Sequence, residues 1–313
     1  GKQVTAVSYE ALAFHLLDAE TYRSFGGLGL GDVAPSASAL QRNIKRIRPE
    51  TLEAINRRQI TRAVDERIES GRMVRADCTV MASPIHAPFE SSLLWDSVRV
   101  LDRCLHRAQH FVDVVFTDHT RRAKRRALGI LNAKRKKHRT ELYRDLLKVS
   151  SKTIHYATAA VTALEQCTTG DMLDDLAAYA LAKDIRHFAG LAQRVVDQTR
   201  RRVLDGERVP AQEKLVSIFE PHTDIIIKDR RDVLYGHKLC LVSGASNLIT
   251  DLVIEDGNPA DSTLAVRTVE RQIDVYGRPP RQIAYDSGFA SKDNVVEIKA
   301  LGVEDVAFSK RRG

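Results

Sequence analysis

The stretch Arg281-Gln-Ile-Ala-Tyr-Asp286-Ser-Gly-Phe-Ala-Ser291 decides how the chain is read. A short apolar pattern around Ile283 and Ala284 reads as a buried strand, ends on a carboxylate and breaks at Ser287-Gly288. Apolar residues then recur at helical spacing from Lys292 to Leu301. Asp286 therefore stands at the carboxyl end of a strand, where open α/β sheets hold their ligands. Asp-Ser-Gly is also ordinary turn chemistry, so Asp286 alone does not separate a site from a turn. A second acid in a similar setting, Asp77, changes the weighting. It falls in the middle of Gly71-Arg-Met-Val-Arg-Ala-Asp77-Cys-Thr-Val-Met-Ala82, a strand pattern rich in Val, Thr and Met. A carboxylate in a sheet interior is costly to desolvate, so a cation is expected beside it: Arg72, Arg75 or a metal ion.

Composition bounds the partners. In 313 residues Lys and Arg outnumber Asp and Glu by 49 to 41, a net charge of +8 that favours an anionic partner, nucleic acid before membrane. Cys78, Cys104, Cys167 and Cys240 form no CxxC pair, which speaks against a zinc knuckle or a disulfide framework and for a reducing, cytoplasmic setting. No run of about eighteen apolar residues suggests a membrane span. The chain begins with Gly1 and stops at Lys310-Arg-Arg-Gly313, so both ends read as cuts in a longer protein.

Residues 1–70 read as helical. Leu12, Phe14, Leu16 and Leu17 precede a break at Gly26-Gly-Leu-Gly-Leu-Gly, and a basic helix from Ala39 carries Arg42, Lys45 and Arg46. This is either a helix-turn-helix-like DNA reader or a plain bundle with a solvated basic face. A further helix, Pro49 to Glu69, reads as a connector. Residues 71–88 form the first part of a core. Residues 89–209 read as a helical insertion, in which Leu94, Val98 and Leu101 line one helix face. Arg121, Arg122, Lys124, Arg125 and Arg126, then Lys134, Arg135, Lys136, Lys137 and Arg139, form two positive clusters suited to sequence-blind phosphate contact. Leu181, Ile185, Phe188, Ala192 and Val195 space either a helix-hairpin or a coiled-coil seam, the latter able to supply a dimer contact. In residues 210–313 the strand pattern is expected to resume at Leu215-Val-Ser-Ile, followed by a hairpin through Ala-Ser-Asn, a helix from Asp261, the Asp286 strand, a helix and a last strand, Asp305-Val-Ala-Phe. That order predicts an α/β fold: a ribonuclease-H-like mixed sheet with flanking helices, a long helical insertion after the first strand, and an N-terminal helical domain.

The segments Phe219-Glu-Pro-His-Thr-Asp-Ile-Ile-Ile-Lys, Gly236-His-Lys238-Leu, Tyr285-Asp286-Ser-Gly-Phe-Ala-Ser and Phe308-Ser-Lys-Arg resemble the catalytic core of bacterial insertion-sequence DDE transposases of the ISNCY type. Asp77-Cys-Thr-Val and Ser91-Ser-Leu-Leu-Trp95-Asp-Ser-Val-Arg are similar to that family's first-acid region. The resemblance implies that Asp77 and Asp286 are the first two catalytic acids and metal ligands. It implies Mg2+, or Mn2+, as cofactor, with terminal inverted repeats and target DNA as partners and a homo-oligomer assembled on them. Glu297 and Glu304 lie too close behind Asp286 to match the third acid, which is expected beyond residue 313. Two magnesium ions about 3.5–4 Å apart serve both ends of an in-line phosphoryl displacement. His237 and Lys238 stand where they either steady a phosphate or hold structure. The alternative is a non-catalytic nucleic-acid-binding protein whose acids are structural, and a weaker one is a metal-dependent hydrolase of a small phosphorylated substrate. No GxxxxGK[ST] loop, GxSxG elbow or HExxH helix points to another enzyme class.

Overall fold

The computed structural model describes residues 8–29, 31–44, 46–228 and 232–309. Lys45, named above as a DNA contact, lies outside them. The Ser8 hydroxyl accepts from the Ala11 amide and starts α1 (Tyr9–Asp18), followed by α2 (Glu20–Phe25) and α3 (Ala37–Ile44). Gly27, at φ 69°, makes the turn after α2, a conformation that costs glycine little. Pro at the first turn opens α4 (Pro49–Asp65), which stops short of the Glu69 expected from the pattern. Arg67 at φ 59° ends it and turns the chain into the sheet.

Strand β1 (Met73–Ala82) precedes four helices, α5 (Glu90–Ala108), α6 (Thr120–Asn132), α7 (Lys136–Gln166) and α8 (Met172–Thr199). Then come β2 (Asp224–Lys228), β3 (Asp232–Gly244), β4 (Ile249–Ile254), α9 (Ala265–Tyr276), β5 (Gln282–Tyr285), α10 (Lys292–Ala300) and β6 (Asp305–Phe308). The protein is a mixed α/β structure. β1 runs antiparallel to β3, from Val74 opposite Gly244 to Ala82 opposite Gly236, and parallel to β5, from Met73 opposite Gln282 to Ala76 opposite Tyr285. β6 continues the parallel side, while β2 and β4 both pair with β3. None of the described helices is long and apolar enough to cross a membrane.

The expected strand at Leu215 is absent. Leu215 and Ile218 pack into the helical core, and the Gln198 side chain donates to the Leu215 carbonyl at 3.0 Å and accepts its amide at 2.8 Å. With those backbone groups satisfied by a helix side chain, no neighbouring strand is needed. The strand starts instead at Asp224, inside the Thr-Asp-Ile-Ile-Ile-Lys run. The spaced seam of α8 is also spent internally. Leu181, Ile185, Ala192 and Val195 are buried in one core with residues of α5 and α7, so of the two readings the seam serves packing within the chain, as a helix hairpin does.

The sheet has a second core. Val74 and Ala76 of β1 join Cys240, Val242, Ile283 and Tyr285 beneath Ala265 and Val269 of α9 and Ile298 of α10. Alternation turns Met73, Arg75 and Asp77 to the other face. On that face Met81, Leu252 and Ile254 are exposed as well. Arg271 of α9 forks onto Asp251 of β4 at 2.5 and 2.7 Å and reaches Glu53 of α4 at 3.3 Å, tying that helix to the sheet.

Glu69 organises the entry into β1. Its carboxylate is buried and accepts the amides of Ser70 at 2.8 Å, Gly71 at 3.0 Å and Ser246 at 3.1 Å, together with the Ser246 hydroxyl. Burial pushes the Glu69 carboxyl up, but the Ser246 hydroxyl and the three amides outweigh it and hold the group below the usual glutamate value. Glu69→Gln is expected to cost about 1–3 kcal/mol in urea denaturation at pH 7. Because the folded-state pKa is depressed, this stabilisation is complete above the ordinary value of 4.5 and is lost as pH falls through the folded value, so the gap to wild type should narrow in acid.

Candidate active site

Ala76 and Tyr285 form the last parallel pair of β1 and β5, and the next residue on each strand is an aspartate. Asp286 keeps extended backbone, φ −67° and ψ 160°, so the strand direction persists through it. Asp77 and Asp286 therefore issue from adjacent positions on strands spaced about 4.8 Å apart. Both are exposed, and both line one cavity of about 520 Å³ together with Lys238, Asp261 and Gly288.

The two acids differ in setting. Asp286 Oδ1 accepts the Ser287 amide at 2.5 Å and the Ser309 hydroxyl at 2.9 Å, and the Ser309 amide donates to the Tyr285 carbonyl at 2.9 Å. The end of β6 thus fixes the Asp286 rotamer. Asp77 is not desolvated, which corrects the expectation of a buried acid needing a cation. It lies on the uncovered face, and among the described residues neither Arg72 nor Arg75 pairs with it.

Asp261 is a third acid at the cavity that the sequence reading took only for a helix start. It begins the turn Asp261–Thr263, and its carboxylate approaches Gly288 so closely that a Cβ there would lie 2.5 Å from Oδ2. Glycine at 288 is the residue that permits this approach. Asp261 is ion-paired to Lys238, whose ammonium also donates to the Pro259 carbonyl at 2.5 Å. Lys238 is only 8% exposed, so its charge is committed within the protein. His237 is not among the residues lining the cavity. It stacks on His222, with ring centroids 5.0 Å apart and planes at 11°, and its Nδ1 lies 4.0 Å from Asp224.

The basic residues fall on the helical body. Arg121, Lys124 and Arg125 are exposed on α6, whereas Ala123, Ala127 and Ile130 face the core. Arg122 and Arg126 both bind Asp145 of α7, Arg126 Nε at 2.5 Å, so the run is neutralised in part and these two of the expected phosphate contacts are engaged within the protein. The Arg122 hydrogen bond, aided by Arg126, holds the Asp145 carboxyl below the usual range. Lys134 and Arg135 precede α7 and Lys136 and Lys137 begin it, all exposed, while Arg139 donates to the Ala133 carbonyl at 2.6 Å. Arg42 is exposed on α3, and Arg46 is exposed in the turn after it.

Among the described residues no group of three or more His, Cys, Asp or Glu side chains is placed to hold a metal ion. Magnesium asks for less, since it commonly keeps several waters and takes one or two carboxylates plus substrate phosphates. Asp77 and Asp286 fit that requirement. No family model, no curated protein and no solved structure matches the chain.

If the Lys238 ammonium serves Asp261 rather than a ligand, Lys238→Met should destabilise the fold by about 1–3 kcal/mol by stranding a partly buried carboxylate. Adding Asp261→Asn should restore part of the loss in urea denaturation. A double variant whose cost is the simple sum of the two singles would show that the pair is not coupled.

Proposed function

We propose that this chain is a DDE-type transposase that cleaves DNA at the ends of an insertion sequence and joins the freed 3′-hydroxyl to target DNA, on a ribonuclease-H-like sheet. The observation that carries the reading is the arrival of Asp77 and Asp286 at adjacent positions of parallel strands, on one face and in one cavity. The sheet order supports it: a central first strand, antiparallel β3 and β4 on one side, and parallel β5 and β6 on the other.

Asp77 and Asp286 would hold magnesium ions jointly with the phosphates of the substrate. Bound there, the metal supplies Lewis-acid polarisation of the phosphoryl oxygens and a more acidic water. The chain's own groups have distinct tasks. The Ser287 amide and the Ser309 hydroxyl pin the Asp286 carboxylate in one orientation, so little reorganisation accompanies binding. Lys238 cancels the charge of Asp261, so the third carboxylate at the cavity does not repel an incoming phosphate. In cleavage a water oxygen bonds to phosphorus as the bond to the 3′ oxygen breaks, leaving a 3′-hydroxyl and a 5′-phosphate. In joining, that hydroxyl attacks a phosphorus of target DNA and displaces its 3′ oxygen, with no covalent protein intermediate. The exposed cations of α6 and of the start of α7 bear on the phosphate backbone and carry no base readout. A homo-oligomer assembled on the DNA would hold the two ends together.

Asp77→Asn and Asp286→Asn are each expected to lower magnesium-dependent nicking and strand transfer by roughly two orders of magnitude or more, the scale of losing one electrostatic contact to the transition state. DNA affinity should be unchanged or higher as repulsion is removed. Cleavage that persists in both variants would leave a non-catalytic DNA-binding protein. Separately, replacing Arg121, Lys124 and Arg125 by Gln should flatten the salt dependence of duplex binding by about 2.7 in slope, at about 0.9 per phosphate contact. Arg126→Gln should instead act mainly on stability, through its bond to Asp145.

A further inference from the structure

A second cavity, of about 770 Å³, opens where the end of the helical body meets the free edge of the sheet. Arg202, in the π-helical turn Arg200–Leu204 that continues α8, enters it from one side. Arg208 and Lys214 enter from the segment leading to β2. Three cations thus converge on a concave surface. Arg202 is ion-paired to Glu90, but among the described residues neither Arg208 nor Lys214 has a carboxylate partner. The nearby acids Glu207 and Glu213 are both occupied by Arg201, at distances down to 2.5 Å.

The charge is felt inside the cavity. Burial pushes the Lys214 ammonium down, and the facing guanidiniums of Arg202 and Arg208 push it further in the same direction. Uncompensated like charges held together in a concavity are stabilised by an anion. Part of the lining has another character. Phe89 and Tyr235, with Ile227 and Val233, present apolar and aromatic surface. Ile227 also lines the cavity of Asp77 and Asp286, so the two depressions adjoin. Cations and aromatic surface in one concavity match a phosphate joined to a planar base.

We infer that this cavity binds a nucleotide unit, its phosphate held by Arg208 and Lys214 and its unpaired base laid against Phe89 and Tyr235, in a strand leading to the Asp77–Asp286 cavity. The inference deepens the proposed function and rests on it only for the source of the nucleotide, a single-stranded stretch of DNA rather than a free mononucleotide. A duplex keeps its bases stacked and offers none to the aromatic wall. The cavity therefore distinguishes strands by pairing state, whereas the cations of α6 meet any phosphate backbone.

The test uses the full chain and a short single-stranded oligonucleotide, followed by fluorescence anisotropy at several salt concentrations. Arg208→Gln with Lys214→Gln should weaken single-strand binding roughly tenfold or more and flatten the salt slope by about 1.4, at about 0.7 per phosphate contact on single strands. Binding to a blunt duplex should change by less. Phe89→Ala, at an exposed position, should weaken single-strand binding and leave the slope alone. Circular dichroism checks that each variant is folded. In a second arm, acylation of Lys214 is followed by peptide mapping with the oligonucleotide or deoxyadenosine monophosphate present. Protection by the oligonucleotide at lower concentration supports a strand, and protection by the mononucleotide alone overturns the strand as source. Unchanged single-strand affinity and slope in the double variant, or protection by neither ligand, overturns the site. These readouts need no cleavage, so they stand apart from failure of the aspartate variants.

Discussion

Everything at the candidate site depends on the parallel pairing of β1 with β5. Parallel strands cannot be joined by a tight turn, so the chain must leave at one end of the sheet and cross over to re-enter at the other. Here it leaves after Ala82, builds a complete helical body and the antiparallel strands β2, β3 and β4, and comes back at Gln282. Loop closure costs only slightly more as the intervening chain lengthens, and less still when that chain folds around its own core. Leu101, Leu146, Ile185 and Val195 supply that core, separate from the one under the sheet. The pairing of Ala76 with Tyr285 is therefore compatible with a large insertion, and it alone carries Asp286 beside Asp77.

The parts of this arrangement legible in the sequence are those with strong local periodicity or punctuation. The Asp286 strand, its turn and the following helix appear at β5 and α10, because alternation, a Ser-Gly break and a change to helical spacing all agree there. The hairpin of β3 and β4 was likewise plain, with Asn247 at φ 64° in its turn. What local pattern cannot carry is partner identity. Leu215 to Ile218 is apolar enough for a strand, yet its backbone groups are taken by Gln198 from a distant helix. The α8 seam is spaced like an intermolecular contact, but α5 and α7 of the same chain reach it first.

Charge shows the same limit. Counting residues between 121 and 139 suggests an uncompensated run, but Asp145 lies further along the facing helix and binds two of the arginines. Lys238 reads as either a phosphate contact or a structural cation next to His237, and folding commits it to Asp261. In the segment after α8, by contrast, the acids are drawn off by Arg201, and Arg208 and Lys214 are left facing a cavity. Net charge names a class of partner. Which cations remain available is decided by pairing across elements, a property of the fold.

The exposure of Asp77 follows from the alternation that fixes the register of β1. Ala76 is fully buried against Val242 and Tyr285, and its neighbour in the chain must then point to the opposite face. A slip of one residue would place Asp77 under α9 and α10 and turn Val74 and Ala76 into solvent, forfeiting the packing of both. The small apolar residues beside the aspartate thus do two things at once. They anchor the strand to its core and hold the carboxylate on the face the described helices leave uncovered, where Asp286 arrives and where a phosphate with its metal ions has access.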